Sequence, residues 1–225
     1  MSRILCCCFI LIIATSCSSS HRFQERPPIV GNHIGGVSRE TIVIDPGHGG
    51  KDCGAKSSAG HQYQEKSLNL TTALLLSHYL KRMGYQTILT RGDDIYIPLK
   101  LRTAFANGNH ATLFVSIHYN SAPNLQAEGI EVFYYDSEKD QQRSAHSRRL
   151  ATIALDQVIA NTGAKSRGIK HGNLAVIRET KMPAILIEGG FVTNENEFEK
   201  LKDVSYLQTI AESLACGIHH YLHAQ

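Results

Sequence analysis

The chain has 225 residues, 42% of them hydrophobic, which is long enough for one domain with a sizeable core once an N-terminal leader is set aside. Its 23 Lys and Arg stand against 20 Asp and Glu, a formal net charge of +3, and the basic residues are scattered. That balance offers no footprint for nucleic acid, and the lack of an internal period excludes a solenoid or propeller.

Arg3 precedes an apolar run from Ile4 to Ala14, and small residues then lead to Cys17. A basic start, a short apolar stretch and a small-residue exit describe a secretory signal over residues 1–16; a membrane span needs about 20 apolar residues. Cys17 directly after small residues resembles a bacterial lipoprotein processing site. The resemblance implies that Cys17 becomes the lipidated first residue, a membrane anchor in the periplasm, with Ser18 favouring the outer membrane. An ordinary signal peptide with an incidental Cys remains the plainer alternative. Residues 17–39 are polar, with Pro27-Pro28 and Gly35-Gly36, the composition of a flexible tether. Residues 40–225 then form the folded domain. Its two cysteines, Cys53 and Cys216, are compatible with a disulfide or with two free thiols.

Ile42-Val43-Ile44 reads as a buried strand stopped abruptly by Asp45-Pro46-Gly47-His48-Gly49-Gly50. A turn this poor in side chains presents His48 at the strand's carboxyl end, and its glycines are expected to leave room for a ligand. Helical spacing of leucines follows from Ser67 to Met83, with Gly84 as a stop. Tyr85 to Thr90 reads as a second strand, Leu99 to Asn107 as a second helix, and Leu113 to Ile117 as a third strand ending at His118. Gly129 to Tyr135 alternates like a half-exposed strand. Ala145 to Asn161 is a helix ended by Gly163; Ala184 to Ile187 is a buried strand ending at Glu188-Gly189-Gly190; Tyr206 to Leu222 is a final helix. Alternating strands and helices of these lengths predict an α/β three-layer sandwich with a mostly parallel central sheet.

Three buried strands thus end on His48, His118 and Glu188, and Glu65 sits just before the first helix. Ligands gather at the carboxyl ends of parallel strands, and neighbouring strands lie about 5 Å apart, so these side chains can converge. Two His and one Glu form the ligand set of several catalytic zinc sites, with the fourth position left for water. A carboxylate beside such a site takes the proton of that water. The ligands are dispersed, and spacing alone leaves open which carboxylate binds metal.

At these residues the chain resembles a known family. Ile44-Asp45-Pro46-Gly47-His48-Gly49-Gly50, Glu65-Lys66 before Asn69-Leu70, Ser116-Ile117-His118-Tyr119-Asn120, and Leu186-Ile187-Glu188-Gly189-Gly190-Phe191-Val192-Thr193-Asn194 occur in the order found in zinc-dependent N-acetylmuramoyl-L-alanine amidases of bacterial cell walls. The likeness runs from about Thr41 to Leu222 and implies a phosphorylase/hydrolase-like fold. It implies that His48, Glu65 and His118 hold Zn2+ and that Glu188 is the general base and later acid. The implied substrate is peptidoglycan, cut between N-acetylmuramic acid and the L-alanine of the stem peptide during wall remodelling or cell separation. A zinc peptidase on the stem peptide is the nearest enzymatic alternative, and a non-catalytic wall-associated lipoprotein the non-enzymatic one.

Other matches are less defined. Asp45 is expected to orient an imidazole or pair with a cation, or only to cap its turn. Asn69 and Asn120 match positions around the family's site. Arg178 suits a stem-peptide carboxylate as a bidentate fork, or a surface ion pair. Arg102 lies on a helix and is expected to be structural. His61 is the rival ligand to Glu65. Several periplasmic members carry a plugging helix after the strand equivalent to Glu131–Tyr135. Only Asp136 to about Ser144 stands there in this chain, which implies a site without that plug, whatever activator or divisome partner exists.

Overall fold

The computed structural model describes residues 40–57 and 63–224. In chain order the elements are β1 (Thr41–Pro46), α1 (Glu65–Arg82), β2 (Gln86–Leu89), α2 (Leu99–Gly108), β3 (Leu113–Asn120), β4 (Ile130–Tyr134), α3 (Gln141–Thr162), β5 (Ser166–His171), α4 (Ala175–Arg178), β6 (Ala184–Phe191), α5 (Glu195–Leu201) and α6 (Val204–His223). One six-stranded sheet runs β2-β1-β3-β6-β4-β5. The first four strands in that order are parallel; β4 runs antiparallel to β6 and carries β5 parallel to itself. The fold is therefore mixed α/β with a mostly parallel core.

Period-two alternation assigns each strand residue to a face. Ile42 and Ile44, Val115 and Ile117, and Ile185 and Ile187 join the larger core, which includes Leu68, Leu76 and Leu80 of α1, Leu150 of α3 and Leu214 of α6. Val43, Phe114 and Leu186 point the other way, against Ala106 of α2 and Val176 and Ile177 of α4. The second cover is thin, and toward the carboxyl ends of β1, β3 and β6 its face turns polar at Asp45, Ser116, His118 and Glu188. That polar end is where the predicted residues meet.

Several expectations are corrected. β4 is not half-exposed: it lies between β6 and β5, with Ile130, Glu131 and Val132 all buried. Its alternation arises because Glu131 is buried against cations rather than solvated. β5, α4 and α5 lie outside the predicted elements, since Ser166–His171 has one aliphatic residue and the two helices are short. α3 begins four residues early because Asp140 caps it, accepting from the Arg143 N–H at 3.0 Å. It ends at Gly163, whose φ of 64° suits a glycine. Cys53 and Cys216 are free thiols, not a disulfide. No helix among the described residues is long and apolar enough to cross a membrane. Cys17, the leader, the tether and His61 lie outside the described residues.

Candidate metal centre

The site begins with how the first turn is held. Arg102 donates from Nη1 to Asp45 Oδ1 at 2.8 Å and to Pro46 O at 2.6 Å, and from Nη2 to His48 O at 2.6 Å. Arg91 donates to Pro46 O at 2.9 Å, Gly47 O at 2.7 Å and Lys66 O at 2.9 Å. Two buried guanidinium groups thus collect the carbonyls of a turn that has left its sheet. With the backbone so fixed, His48 adopts φ +59°, a left-handed conformation uncommon outside glycine. Contrary to the expectation from the sequence, Gly47 and Gly49 do not leave space for a ligand. A Cβ on Gly47 would stand 2.1 Å from the His118 ring, and one on Gly49 2.1 Å from Ile95 O. Protein groups already fill that room.

His48, Glu65 and His118 each offer a ligand atom, all within 4.8 Å of one another. His48 Nε2 lies 3.1 Å from Glu65 Oε2, and His118 Nδ1 lies 2.8 Å from Glu65 Oε1. Two donors of a tetrahedral zinc, each about 2.0–2.1 Å from the ion, stand about 3.3 Å apart. Both imidazole–carboxylate distances are close to that spacing, and two imidazoles with one carboxylate are the kind of donor set that holds such an ion. The N-terminus of α1 places Glu65, and backbone amides hold its carboxylate: Ala55 N–H donates to Oε2 at 2.8 Å and Tyr119 N–H to Oε1 at 3.2 Å. Burial alone raises the Glu65 pKa, but the bonds with His118 and then His48 outweigh it and hold the carboxyl well below its usual range. Burial lowers the His48 pKa, yet Glu65 and then Asp52 more than offset it, so the net shift is upward.

Glu188 completes the cluster. It stands in register with His118 across β3 and β6 and with Glu131 across β6 and β4. Its Oε2 is buried without a hydrogen-bond partner among the described residues. Burial first, then the charges of Glu65 and Glu131, push its carboxyl well above the ordinary range. Desolvation and two like charges beside a metal-competent trio mark this carboxyl as a candidate functional group.

The remaining predicted residues separate into two groups. Asn69 joins the cluster, donating from Nδ2 to Glu65 Oε1 at 3.2 Å and Gly47 O at 3.1 Å. Asn120 joins its border, donating to Glu131 Oε1 at 2.9 Å. Asp45 pairs with the Arg102 cation and accepts from Thr90 and Ser116 at 2.5 and 2.9 Å, so it does not orient an imidazole. Arg178 is taken up by Asn173 Oδ1 at 2.6 Å and Glu179 Oε1 at 2.8 Å, and none of its hydrogen bonds reaches the cluster. Arg102 is structural.

Two acidic residues escape sequence reasoning. Asp52 Oδ1 lies 2.9 Å from His48 Nδ1, at ion-pair distance though without hydrogen-bond alignment. It is the carboxylate that backs this imidazole, and the only signal for it is an acid four residues after a turn histidine. Glu131 is the other, hidden by its place in an alternating strand.

Residues 42–220 match the profile of a family described as N-acetylmuramoyl-L-alanine amidase. The chain is 35% identical over 198 residues to the N-acetylmuramoyl-L-alanine amidase LytC of Bacillus subtilis (strain 168), a match covering 88% of this chain and 37% of LytC. Among solved structures it resembles an N-acetylmuramoyl-L-alanine amidase from Clostridium difficile 630, with TM-score 0.78 and 38% identity, covering 83% of this chain and 98% of that one. It also resembles the catalytic domain of the amidase CwlV from Bacillus (Paenibacillus) polymyxa, with TM-score 0.76 and 37% identity over 83% of this chain and 99% of that one.

Proposed function

The chain belongs to the N-acetylmuramoyl-L-alanine amidase family, and from that premise we propose that it is a zinc-dependent peptidoglycan hydrolase cleaving the amide between N-acetylmuramic acid and L-alanine. His48, Glu65 and His118 would hold the ion. When bound, zinc supplies Lewis acidity to the scissile carbonyl and to the attacking water. Asp52, beside Nδ1 of His48, favours the tautomer that leaves Nε2 free as a donor. Asn69 and the amides of Ala55 and Tyr119 keep the Glu65 carboxylate turned toward both imidazoles. Glu188 accepts a proton from the attacking water on its free Oε2, then returns it to the leaving amine nitrogen. Its raised pKa lets it hold that proton between the two steps.

One observation carries this reading: a buried, unpartnered carboxylate oxygen on Glu188, in register with His118 and beside a His–Glu–His trio. The Glu188→Gln protein should retain one zinc per chain by atomic absorption while turnover falls on the order of 10²–10⁴-fold. Retained activity removes the role given to Glu188. Digested muropeptides should show whole stem peptides with a free L-alanine amino group; loss of a terminal D-alanine would instead mark a carboxypeptidase.

The proposal extends to location and control. A lipid on Cys17 and a tether over residues 17–39 would hold the domain at a periplasmic membrane surface, for wall remodelling or cell separation. The leader's residues support it, and incorporation of labelled fatty acid should vanish in Cys17→Ala. The connection from β4 to α3 spans only residues 135–140 and has no helix. This supports a site that is not plugged from there, and the purified protein should digest peptidoglycan without an activator.

A further inference from the structure

The polar row does not stop at Glu188. Glu131 stands opposite it on β4, and β5 brings two cations onto this one carboxylate. Arg167 Nε and Lys170 Nζ lie 2.7 and 2.6 Å from the same oxygen, Oε2, while Asn120 holds Oε1. A break in register between Ile130 and Val132, with Gly168 at φ +80°, lets both cations reach this point. Glu131 is 4% exposed, whereas the Arg167 and Lys170 side chains are 32% and 39% exposed.

One cation is enough to neutralise one carboxylate. The second leaves a surplus positive charge at the surface, held close to a like charge. Arg167 lies over the Phe191 ring at 4.8 Å and donates from Nη1 to Glu128 O at 3.3 Å, while its Nη2 has no hydrogen-bond partner among the described residues. Among the described residues Lys170 bonds only Glu131, and it lies 5.9 Å from the Phe133 ring centroid. The surplus is aimed outward on the sheet face that holds Glu188. One strand step, about 5 Å, separates β6 from β4, and both cations reach to within 2.7 Å of Glu131, so their charges stand about two extended residues from Glu188.

We propose that Arg167 and Lys170 form an anion subsite for a carboxylate of the peptide substrate, about two residues beyond the scissile amide, with Glu131 positioning both cations. The inference rests on the amidase reading for the identity of the peptide. It moves carboxylate recognition away from Arg178, whose guanidinium is already engaged by Asn173 and Glu179.

Peptide binding tests it without requiring turnover. Calorimetry on the full chain would compare a stem tetrapeptide carrying free carboxylates with its fully amidated counterpart. The unaltered protein should bind the free form about tenfold more tightly. Arg167→Gln and Lys170→Gln should each bring the ratio toward one, and Lys170→Arg should keep it. Equal binding of both peptides by the unaltered protein overturns the proposal even if a variant fails to fold. So does a ratio lost in Arg178→Gln but kept in Lys170→Gln. Muropeptide digestion run in parallel reports on the amidase reading separately: a protein that cuts muropeptides yet ignores the carboxylates keeps its function and loses this subsite.

Discussion

Asp45 and His48 leave the same strand three residues apart and enter two opposite kinds of polar cluster. Around Asp45, every strong group is matched: Arg102, Thr90 and Ser116 surround its carboxylate, and Arg91 and Arg102 take up the carbonyls from Pro46 to His48. Around His48, matching is deliberately incomplete. Two imidazoles share one carboxylate, and a second carboxylate, Glu188, has a buried oxygen with no partner and a raised pKa. Polar burial stabilises a fold when it is satisfied and stores reactivity when it is not. The first cluster builds the turn; the second uses it.

The comparison is broken most forcefully on its structural side. Arg102→Ala should cost on the order of 3–5 kcal/mol of stability, because it leaves Asp45 buried without its cation and uncaps the turn. Urea unfolding measures this; a loss below about 1 kcal/mol would mean the arginine clamp is ornamental. Glu188→Gln should do the reverse, losing turnover while the metal-free fold gains stability. The sign follows from its raised pKa. The folded state favours the protonated carboxyl, so stability from this group is full below the ordinary carboxylate range and is lost as pH rises through the raised value. The advantage of the Gln protein should therefore grow with pH and then level off. A constant advantage from acid to neutral pH contradicts the assignment.

Smaller changes sharpen the line between the clusters. Gly47→Ala places a methyl group into the His118 ring and should weaken zinc binding by about 10–100-fold, the range for disturbing the support of a ligand. Asp52→Asn should sit at the low end, about tenfold, since Asp52 is partly exposed and only backs the imidazole. Competition with a chelating dye reads both. If Asp52→Asn binds zinc like the parent, His48 is held by its backbone alone.

Glu65 was picked out as a ligand only by the family resemblance, whereas His48, His118 and Glu188 were legible as candidates because each follows the stop of a short apolar run, a local pattern that needs no knowledge of distant partners. What surrounds them was not. Asp45 has the same neighbours whether it backs an imidazole or a guanidinium, and Arg102 lies 57 positions away. Glu131 reads as solvent-facing because a strand with an acid at alternate positions usually is. Only the antiparallel placement of β4, and an almost aliphatic-free β5 beside it, reveals that the acid is buried between Glu188 and two cations. Long-range pairing decided both cases, and it leaves little trace in a local window.

The central claim is that the unsatisfied cluster is a metal-dependent amidase centre. Mass spectrometry of muropeptides digested by the full chain, stripped of metal and then reloaded with zinc, tests it most directly. The account predicts intact stem peptides with a free L-alanine amino group, and peptide-free glycan, only after reloading. The same products from the stripped protein, or peptides shortened at their far end while the amide stays whole, would contradict it.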